Sequence, residues 1–344
     1  MKQLSNIAIL ILAFLVSSCK HDTVTNSISY PAAYIVNSGD NSIAVINLNT
    51  NTLVDKILLP NCNFPYHVYI SPDHKLLAVS VVNHDLRNGF PSTSFNNFIT
   101  GNKILIIDAI SKNVVKEIPL PQIASNAIFS YYSNELWVGQ ADDIQSKMLV
   151  FDVADWTLKK TISLGRGLTD ITFCSDGDMS FTCTSTDDSV QMYTVNGKLF
   201  LMKSHLPSHP IGAYPSDHHT DFIVCDGNNT VYEVNADDCQ TLDTVLLGYK
   251  PGHIKYNSAK SEMWMTDITN GKIHWFKRVL THWTEQGAVS VGDNPRWIAF
   301  SPDETTAYVA NQNSFTVTIL NVSSHSILNK ISIGNSPSSI AIKP

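Results

Sequence analysis

Short runs of alternating apolar and polar residues, separated by polar turn residues, recur through most of the chain. "YIVNSGDNSIAVIN" from Tyr34 contains two such runs around a Ser-Gly-Asp-Asn turn, and "YVANQNSFTVTILN" from Tyr308 repeats the arrangement. An alternation of period two between turn signals is typical of short β-strands. Stretches with a helical period and helix caps are absent beyond the N-terminal segment. The pattern therefore predicts an all-β protein.

The strands are arranged in a repeat. Segments of the form Pro-x-x-apolar-x-apolar, followed by a polar turn and an apolar-Tyr-Val-x-Asn strand, recur along the chain, most clearly in its first and last units. Seven copies of this first strand begin at Pro65, Ala124, Leu168, Pro210, Pro251, Pro295 and Pro337. From Leu168 onward the starts are spaced by 41 to 44 residues, which suits a propeller blade of four strands. The sequence therefore predicts a seven-bladed β-propeller.

The two ends of the repeat are incomplete in a complementary way. The chain enters the repeat on a second strand, "AAYIVNS", and leaves it on a first strand, "SSIAIKP". Pairing of the C-terminal strand with the N-terminal strands completes the seventh blade and removes two exposed sheet edges. Residues 31–344 are accordingly predicted to form one closed domain.

The motifs "YIVNSGDNSIAVIN", "SPDETTAYVAN" and "IGNSPSSIAIKP" resemble those of the YVTN-repeat, YncE-like family of bacterial seven-bladed β-propellers. The resemblance extends over nearly all of residues 31–344 and weakens in the middle blades, where "SYYSN" and "NSAKS" replace the Ser-Pro-Asp turn. It implies the propeller fold and a location outside the cytoplasm. It implies no single function, because propellers serve as binding proteins, lactonases, quinoproteins and haem domains.

The N-terminus has the features of an export signal. Lys2 precedes an apolar run from Ile7 to Val16 that is too short to span a bilayer. The "VSSC" that follows resembles the lipobox of bacterial lipoproteins, so residues 1–18 are predicted to be a signal peptide, Cys19 the lipidated residue, and residues 19–30 a tether. An ordinary signal peptide with a chance cysteine is the alternative. Lys20, and not an Asp, stands directly after Cys19, which favours the outer membrane of the cell envelope, with the lipid bilayer as a partner.

Charge and cysteine content narrow the functional classes. The net charge is −7 and no Lys/Arg cluster is present, so nucleic acid is not an expected partner. We expect a monomer. The five cysteines other than Cys19 show no CxxC spacing, which indicates neither a disulfide framework nor a zinc site. Cys174 and Cys183 either face each other across a hairpin or are small buried side chains.

Candidate binding residues lie at the start of each first strand, since the family resemblance places these strands along the central channel. The third position of each unit is His67, Asn126, Asp170, Gly212, His253, Trp297 and Ser339, and the preceding position is Tyr66, Ser125, Thr169, Ile211, Gly252, Arg296 and Ser338. We predict that a ligand contacts Tyr66, His67, Asn126, Asp170, His253, Arg296 and Trp297. A chemically mixed ring suits a ligand pocket; a merely hydrated channel is the alternative.

One connection is longer than the others. The segment from His84 to Gly101 adds about 15 residues to its blade and, by the family topology, rises on the same face as the ring. Long loops on rigid scaffolds often carry binding residues. We predict that it forms a lid over the mouth through His84, Arg87, Phe90, Phe95 and Phe98. The alternative is an insertion whose aromatic residues pack on their own blade.

The sequence gives little support for catalysis or for a cofactor. Motifs for serine hydrolases, zinc proteases and haem attachment are absent, and no catalytic residue is assigned. His67 and His253 are expected nearly opposite each other across the channel, too far apart to bind one metal ion. The leading hypothesis is a lipid-anchored binding protein for a small molecule, peptide or glycan, serving an outer-membrane transporter. The alternatives are a lactonase-like hydrolase or redox enzyme using the same mouth, and a surface-layer or protein-interaction scaffold.

Overall fold

The computed structural model describes residues 27–86, 95, 100–206, 208–216 and 220–344. Cys19, Arg87, Phe90 and Phe98 lie outside the described residues, so their predicted roles stay predictions. All regular elements of the described part are β-strands, arranged in seven four-stranded antiparallel sheets. The predicted seven-bladed, all-β propeller is confirmed. No helix in this part of the chain is long and apolar enough to cross a membrane.

The first blades follow the predicted repeat. Blade 1 contains β1 (Ala32–Asn37), β2 (Ser42–Asn47) and β3 (Thr52–Leu58). Blade 2 contains β4 (Pro65–Ile70), β5 (Leu76–Val81), β6 (Lys103–Asp108) and β7 (Val114–Pro119). Blade 3 contains β8 (Ala124–Phe129), β9 (Glu135–Gln140), β10 (Lys147–Asp152) and β11 (Leu158–Ser163). Blade 4 contains β12 (Thr169–Phe173), β13 (Met179–Thr184), β14 (Ser189–Thr194) and β15 (Phe200–His205).

The remaining strands complete the ring. Blade 5 contains β16 (Pro210–Pro215), β17 (Thr220–Cys225), β18 (Thr230–Asn235) and β19 (Thr241–Leu246). Blade 6 contains β20 (Pro251–Asn257), β21 (Glu262–Asp267), β22 (Lys272–Val279) and β23 (His282–Ser290). Blade 7 contains β24 (Pro295–Phe300), β25 (Thr306–Asn311), β26 (Thr316–Asn321) and β27 (Ser326–Ser332). The last strand, β28 (Pro337–Lys343), belongs to blade 1.

The ring closes between the two ends of the chain, as the sequence predicts. β28 pairs antiparallel with β1, with Tyr34 opposite Ala341 and Ile35 opposite Ile340. The seven strands that begin the units, β28, β4, β8, β12, β16, β20 and β24, each contact the next around the ring. We call these the inner strands, because they surround the central channel.

Apolar clusters fill the gaps between neighbouring blades. Tyr34, Val68 and Leu77 belong to the cluster between blades 1 and 2, and clusters of the same kind occupy the other six gaps. The repeated Tyr of the second strand serves this packing: Tyr34 donates a hydrogen bond to the carbonyl of Ala109 in blade 2, and Tyr308 donates one to Asn51 of blade 1. The motif thus connects each of these blades to the next.

Two details refine the sequence predictions. Ile28, assigned to the tether, is fully buried in the cluster between blades 1 and 2, and its amide bonds the carbonyl of Ile110 at 3.0 Å. The five described cysteines are free and buried, which settles the alternatives for Cys174 and Cys183 in favour of small buried side chains. In the β12–β13 ladder, Cys183 faces Asp170.

Candidate binding site at the channel mouth

β-Bulges at the start of the inner strands decide which residues face the channel mouth. In six of the seven inner strands the ladder to the neighbouring strand shifts register directly after the first paired residue. The residues left out of the ladder are Tyr66, His67, Ser125, Ile211, Gly252, His253, Arg296 and Ser338. A bulge redirects its extra residue away from the sheet. All eight line the same cavity.

The bulges are stabilised by side-chain hydroxyl groups. The amide of His67 donates to the Oγ of Ser80 at 3.1 Å, and the amide of His253 donates to the Oγ1 of Thr266 at 2.8 Å. These bonds replace the ladder bonds that the bulge removes, since a buried amide without a partner is costly. The positions of the two imidazoles at the mouth are therefore fixed by the fold.

The cavity at this mouth, here called the first cavity, has a volume of about 230 Å³. Six of the seven predicted binding residues line it: Tyr66, His67, Asp170, His253, Arg296 and Trp297. The structure brings them together, and their role in binding a ligand stays a prediction.

Asn126 does not line the first cavity, contrary to the position predicted for it. It follows the bulged Ser125 and returns to the ladder opposite Gly139, where it is fully buried. Its Nδ2 donates to the Oδ1 of Asp170 at 2.6 Å and to the carbonyl of Ile171 at 2.7 Å. Asn126 is therefore a positioning residue that holds Asp170 at the mouth.

Aromatic rings in tilted and edge-to-face contact close the floor of the first cavity. The rings of His67 and Trp297 are 5.0 Å apart, those of His253 and Trp297 are 3.8 Å apart, and those of Tyr214 and His253 are 4.6 Å apart. Tyr69 meets Trp297 edge to face at 6.1 Å. We call Tyr69, Tyr214, His253 and Trp297 the aromatic layer. These residues also line a second cavity on the opposite side, so the layer lies between the two.

The two imidazoles contact the same indole ring. His67 and His253 belong to blades 2 and 6, yet both contact the indole of Trp297. Among the described residues, no group of three or more His, Cys, Asp or Glu side chains is arranged to hold a metal ion.

The charge state of the cavity follows from its enclosure. Burial lowers the pKa of His67 to about 3, and nearby Arg296 acts in the same direction. Burial also lowers the pKa of His253 well below its usual value, and Lys255 adds to this effect. Both imidazoles are therefore neutral near pH 7. The Nδ1 of His67 is buried without a hydrogen-bond partner among the described residues, and a ligand would satisfy it.

Asp170 and Arg296 are the charged groups among the predicted residues. Burial raises the pKa of Asp170 to about 7, against the opposing effect of hydrogen bonds from Ala213, Ile171 and Asn126. The Nε of Arg296 donates to the Oε1 of Gln312 at 3.1 Å, which orients the guanidinium along the cavity wall. Both charges act on the pKa of Tyr66, which burial raises, Arg296 lowers and Asp170 raises. Arg296 and Asp170 are thus both close enough to Tyr66 to change the pKa of its hydroxyl group.

Sequence reasoning missed a polar network on the rim. The Nδ1 of His209 lies 2.6 Å from Asp226, and the Nζ of Lys250 lies 2.9 Å from the other oxygen of the same carboxylate. All three residues line the first cavity. The bond to Asp226 raises the pKa of His209 in spite of its partial burial. The sequence offered one signal for this network, the position of its residues at strand ends. Asp226 directly follows a second strand, and Lys250 directly precedes an inner strand.

The described part of the long connection lies beside this mouth. Phe95 is buried and packs against Ala141, Leu168 and Ile211, of which Leu168 and Ile211 line the first cavity. At the start of the connection, Leu86 is buried in a cluster that includes Tyr66. His84 is half-buried and does not line the cavity. The predicted lid residue Phe95 therefore reaches the mouth, while a lid function stays a prediction.

Comparison with solved structures identifies the same fold in functionally different proteins. The periplasmic gluconolactonase of Pseudomonas aeruginosa superposes with a TM-score of 0.72 and 16% identity, over 91% of this chain and 99% of that one. A putative 6-phosphogluconolactonase from Bacteroides fragilis gives a TM-score of 0.71 and 12% identity, over 92% and 99% of the two chains. The dihydro-heme d1 dehydrogenase NirN gives 0.63 and 12%, over 90% and 74%.

These likenesses define the class of protein and no more. Lactonases and a haem-handling enzyme share the propeller, and identities of this size show the fold alone. No protein-family model matches the chain, and no curated protein matches it in sequence. The chain is a seven-bladed β-propeller with a polar, aromatic-floored cavity at one mouth of its channel.

Proposed function

We propose that this chain binds a small, hydroxylated anion of the size of a sugar acid in the first cavity. The observation that carries the proposal is the position of Arg296, which a bulge directs into an enclosed cavity beside two neutral imidazoles. A guanidinium in such a setting binds a carboxylate through charge-assisted hydrogen bonds.

The other groups of the cavity support this ligand class. The carboxylate of Asp226 is paired with Lys250 and His209, and the raised pKa of Asp170, about 7, keeps much of that carboxyl neutral at neutral pH. Anionic repulsion inside the cavity is therefore weak. Ser125, Ser338 and Gln312 supply hydrogen-bonding groups for hydroxyls, and the Trp297 indole supplies an apolar face.

Calorimetric titration with D-gluconate and D-glucuronate tests the proposal, with D-glucose as the uncharged comparison. We expect the acids to bind more tightly than glucose, and Arg296→Gln to weaken acid binding by about 1.5 to 3 kcal/mol. Lys330→Gln, which removes an exposed charge on β27, is the matched control and should bind like the parent. Equal affinities in the Arg296→Gln variant and the parent would contradict the proposal, as would no binding of either acid.

A second candidate function is hydrolysis of a sugar lactone, and Asp170 is the observation that favours it. A carboxyl with a pKa of about 7 is suited to act as a general base near neutral pH. Its carboxylate would take a proton from water as the water oxygen adds to the lactone carbonyl carbon, and Arg296 would donate hydrogen bonds to the developing oxyanion. The ring C–O bond would then break as the proton passes to the leaving oxygen. Two of the similar structures are a gluconolactonase and a putative 6-phosphogluconolactonase.

The opening of glucono-δ-lactone, measured against its spontaneous rate, separates the two candidates. A lactonase would accelerate the reaction increasingly as pH rises through about 7, because the carboxylate form of Asp170 is the base. Asp170→Asn would remove the acceleration and retain binding of gluconate. Spontaneous rates at every pH would exclude the hydrolase and leave the binding function in place.

We further propose that the chain is a YVTN-repeat lipoprotein of the outer membrane, acylated at Cys19, and that it delivers its ligand to a transporter. The sequence of the export signal and the periplasmic location of one structurally similar protein support an envelope location. Cys19→Ala should abolish lipid labelling and membrane retention. A variant that still sediments with membranes would refute the anchor.

A further inference from the structure

The opposite mouth of the channel holds a second cavity with a different character. It has a volume of about 570 Å³ and lies on the far side of the aromatic layer from the first cavity. Aliphatic and aromatic side chains from several blades form much of its wall, among them Ile70, Ile128, Phe173, Ala299 and Ile342. A wide apolar vestibule of this kind binds the hydrocarbon part of a ligand by removing it from water.

One ammonium group projects into this apolar wall. Lys255 lies on the inner strand β20 and is the one Lys or Arg among the described residues that line the second cavity. Its side chain is exposed to the channel and makes no hydrogen bond or ion pair within the part of the chain that the structure describes. Burial of the amine between the blades lowers its pKa, an effect that the charge of Glu304 partly opposes.

Glu304 is the one acidic side chain among the described residues that line this cavity, and it is already engaged. Glu304 accepts hydrogen bonds from the Oγ of Ser258 and the amide of Ala259, both at 2.8 Å. Its carboxylate is thereby held against the Ser258 turn and is not ion-paired with Lys255. The charge of the ammonium therefore remains available to an anion that enters the vestibule.

From this juxtaposition we propose that the second cavity binds a monocarboxylate with an apolar body, such as a medium-chain alkyl acid. The carboxylate pairs with the ammonium of Lys255, and the chain lies against Ile70, Ile128 and Ile342. The site is separate from the first cavity and does not depend on the function proposed for it. A dianion is disfavoured, because the described residues of the wall offer one cation, Lys255, to balance its two charges.

Calorimetric titration of the purified protein with the straight-chain acids from butanoate to decanoate tests the proposal. Burial of each added methylene should tighten binding about fourfold until the cavity is filled. Lys255→Met should weaken octanoate binding at least tenfold, whereas Lys255→Arg, which keeps the positive charge, should retain it. 1-Octanol, which lacks the carboxylate, should bind the parent and the Lys255→Met variant equally.

Arg296→Gln is the control that separates the two mouths. Arg296 lines the first cavity and not the second. The substitution should therefore leave octanoate binding unchanged while it weakens the binding of sugar acids. The proposal is overturned if octanoate fails to bind the parent, if Lys255→Met binds it as tightly as the parent, or if Arg296→Gln abolishes its binding. Melting temperatures close to that of the parent would show that each variant is folded.

Discussion

Adjacent residues at the start of an inner strand can have different structural roles. Arg296 is the extra residue of a bulge, whereas Trp297 re-enters the ladder opposite Ala310. Trp297 is only 9% exposed and contacts both His67 and His253. It is therefore part of the interior of the ring as well as a wall of the first cavity.

Trp297→Ala should accordingly destabilise the fold. Loss of a packed indole from the aromatic layer leaves a void, for which a cost of about 3 to 5 kcal/mol is usual. Urea denaturation of the variant and the parent measures the change. Arg296→Gln should stay within about 0.5 kcal/mol of the parent in the same assay. Equal stability of Trp297→Ala and the parent would show that the indole is not needed for packing.

A buried acid away from the mouth offers a second prediction at this scale. Asp221 is fully buried, its Oδ2 lies 3.4 Å from the Sγ of Cys174, and its Oδ1 has no partner among the described residues. Burial raises its pKa from 3.8 to about 7, and the nearby Asp176 adds to the rise. Between these two values the folded state keeps a proton that the unfolded state has released. The contribution of Asp221 to stability is thus lost as pH rises through this window.

Asp221→Asn should therefore flatten the pH dependence of unfolding. The free energy of unfolding of the variant, relative to the parent, should rise by up to about 1.4 kcal/mol per pH unit between about pH 4 and pH 7. Urea titrations at several pH values measure it, and Asp170 cancels because both proteins contain it. A difference that does not vary with pH would mean that Asp221 ionises normally in the folded protein.

At the scale of elements, the strand that closes the ring is the most consequential. β28 supplies the buried Ile340 and Ala341 and pairs with β1 along its length. Deletion of residues 337–344 exposes an edge of β1 and opens the gaps to blades 2 and 7. We expect aggregation or a large fall in melting temperature. Removal of Pro344 alone is the control, and a parent-like melt of the longer deletion would contradict closure by β28.

The connection beside the mouth gives a kinetic prediction. Phe95 covers Leu168 and Ile211 at the wall of the first cavity. Phe95→Ala should speed dissociation of a bound sugar acid several-fold with little change in association, because a cover restricts escape more than encounter. Stopped-flow measurements resolve the two rates. Phe200→Ala, on the exposed outer strand β15, is the control. An unchanged dissociation rate would show that Phe95 does not act as a lid over the first cavity.

The strands could be predicted because similar residue patterns recur along the chain. A proline, an alternation of period two and a Tyr-Val-x-Asn strand recur in register, so a local pattern was enough to predict blades, count and closure. The side-chain arrangement at the mouth was less accessible. A one-residue bulge turns Ser125 toward the cavity and Asn126 away from it, and no local pattern distinguishes the two. The network of His209, Asp226 and Lys250 joins three segments that only the fold brings together.

At the scale of the whole molecule, the ring provides two chemically distinct mouths. The first cavity is polar and carries Arg296, while the second is wider, more apolar and carries Lys255. The aromatic layer contributes to both and lies between them. A closed ring of seven blades holds this arrangement rigidly, which suits selective recognition at each mouth.

A crystal structure of the protein with bound D-gluconate tests the central claim most directly. We predict electron density in the first cavity, with the carboxylate hydrogen-bonded to Arg296 and the carbon chain against Trp297 and Tyr66. Gluconate bound in the second cavity or on the outer strands, with the first cavity holding only water, would contradict the account.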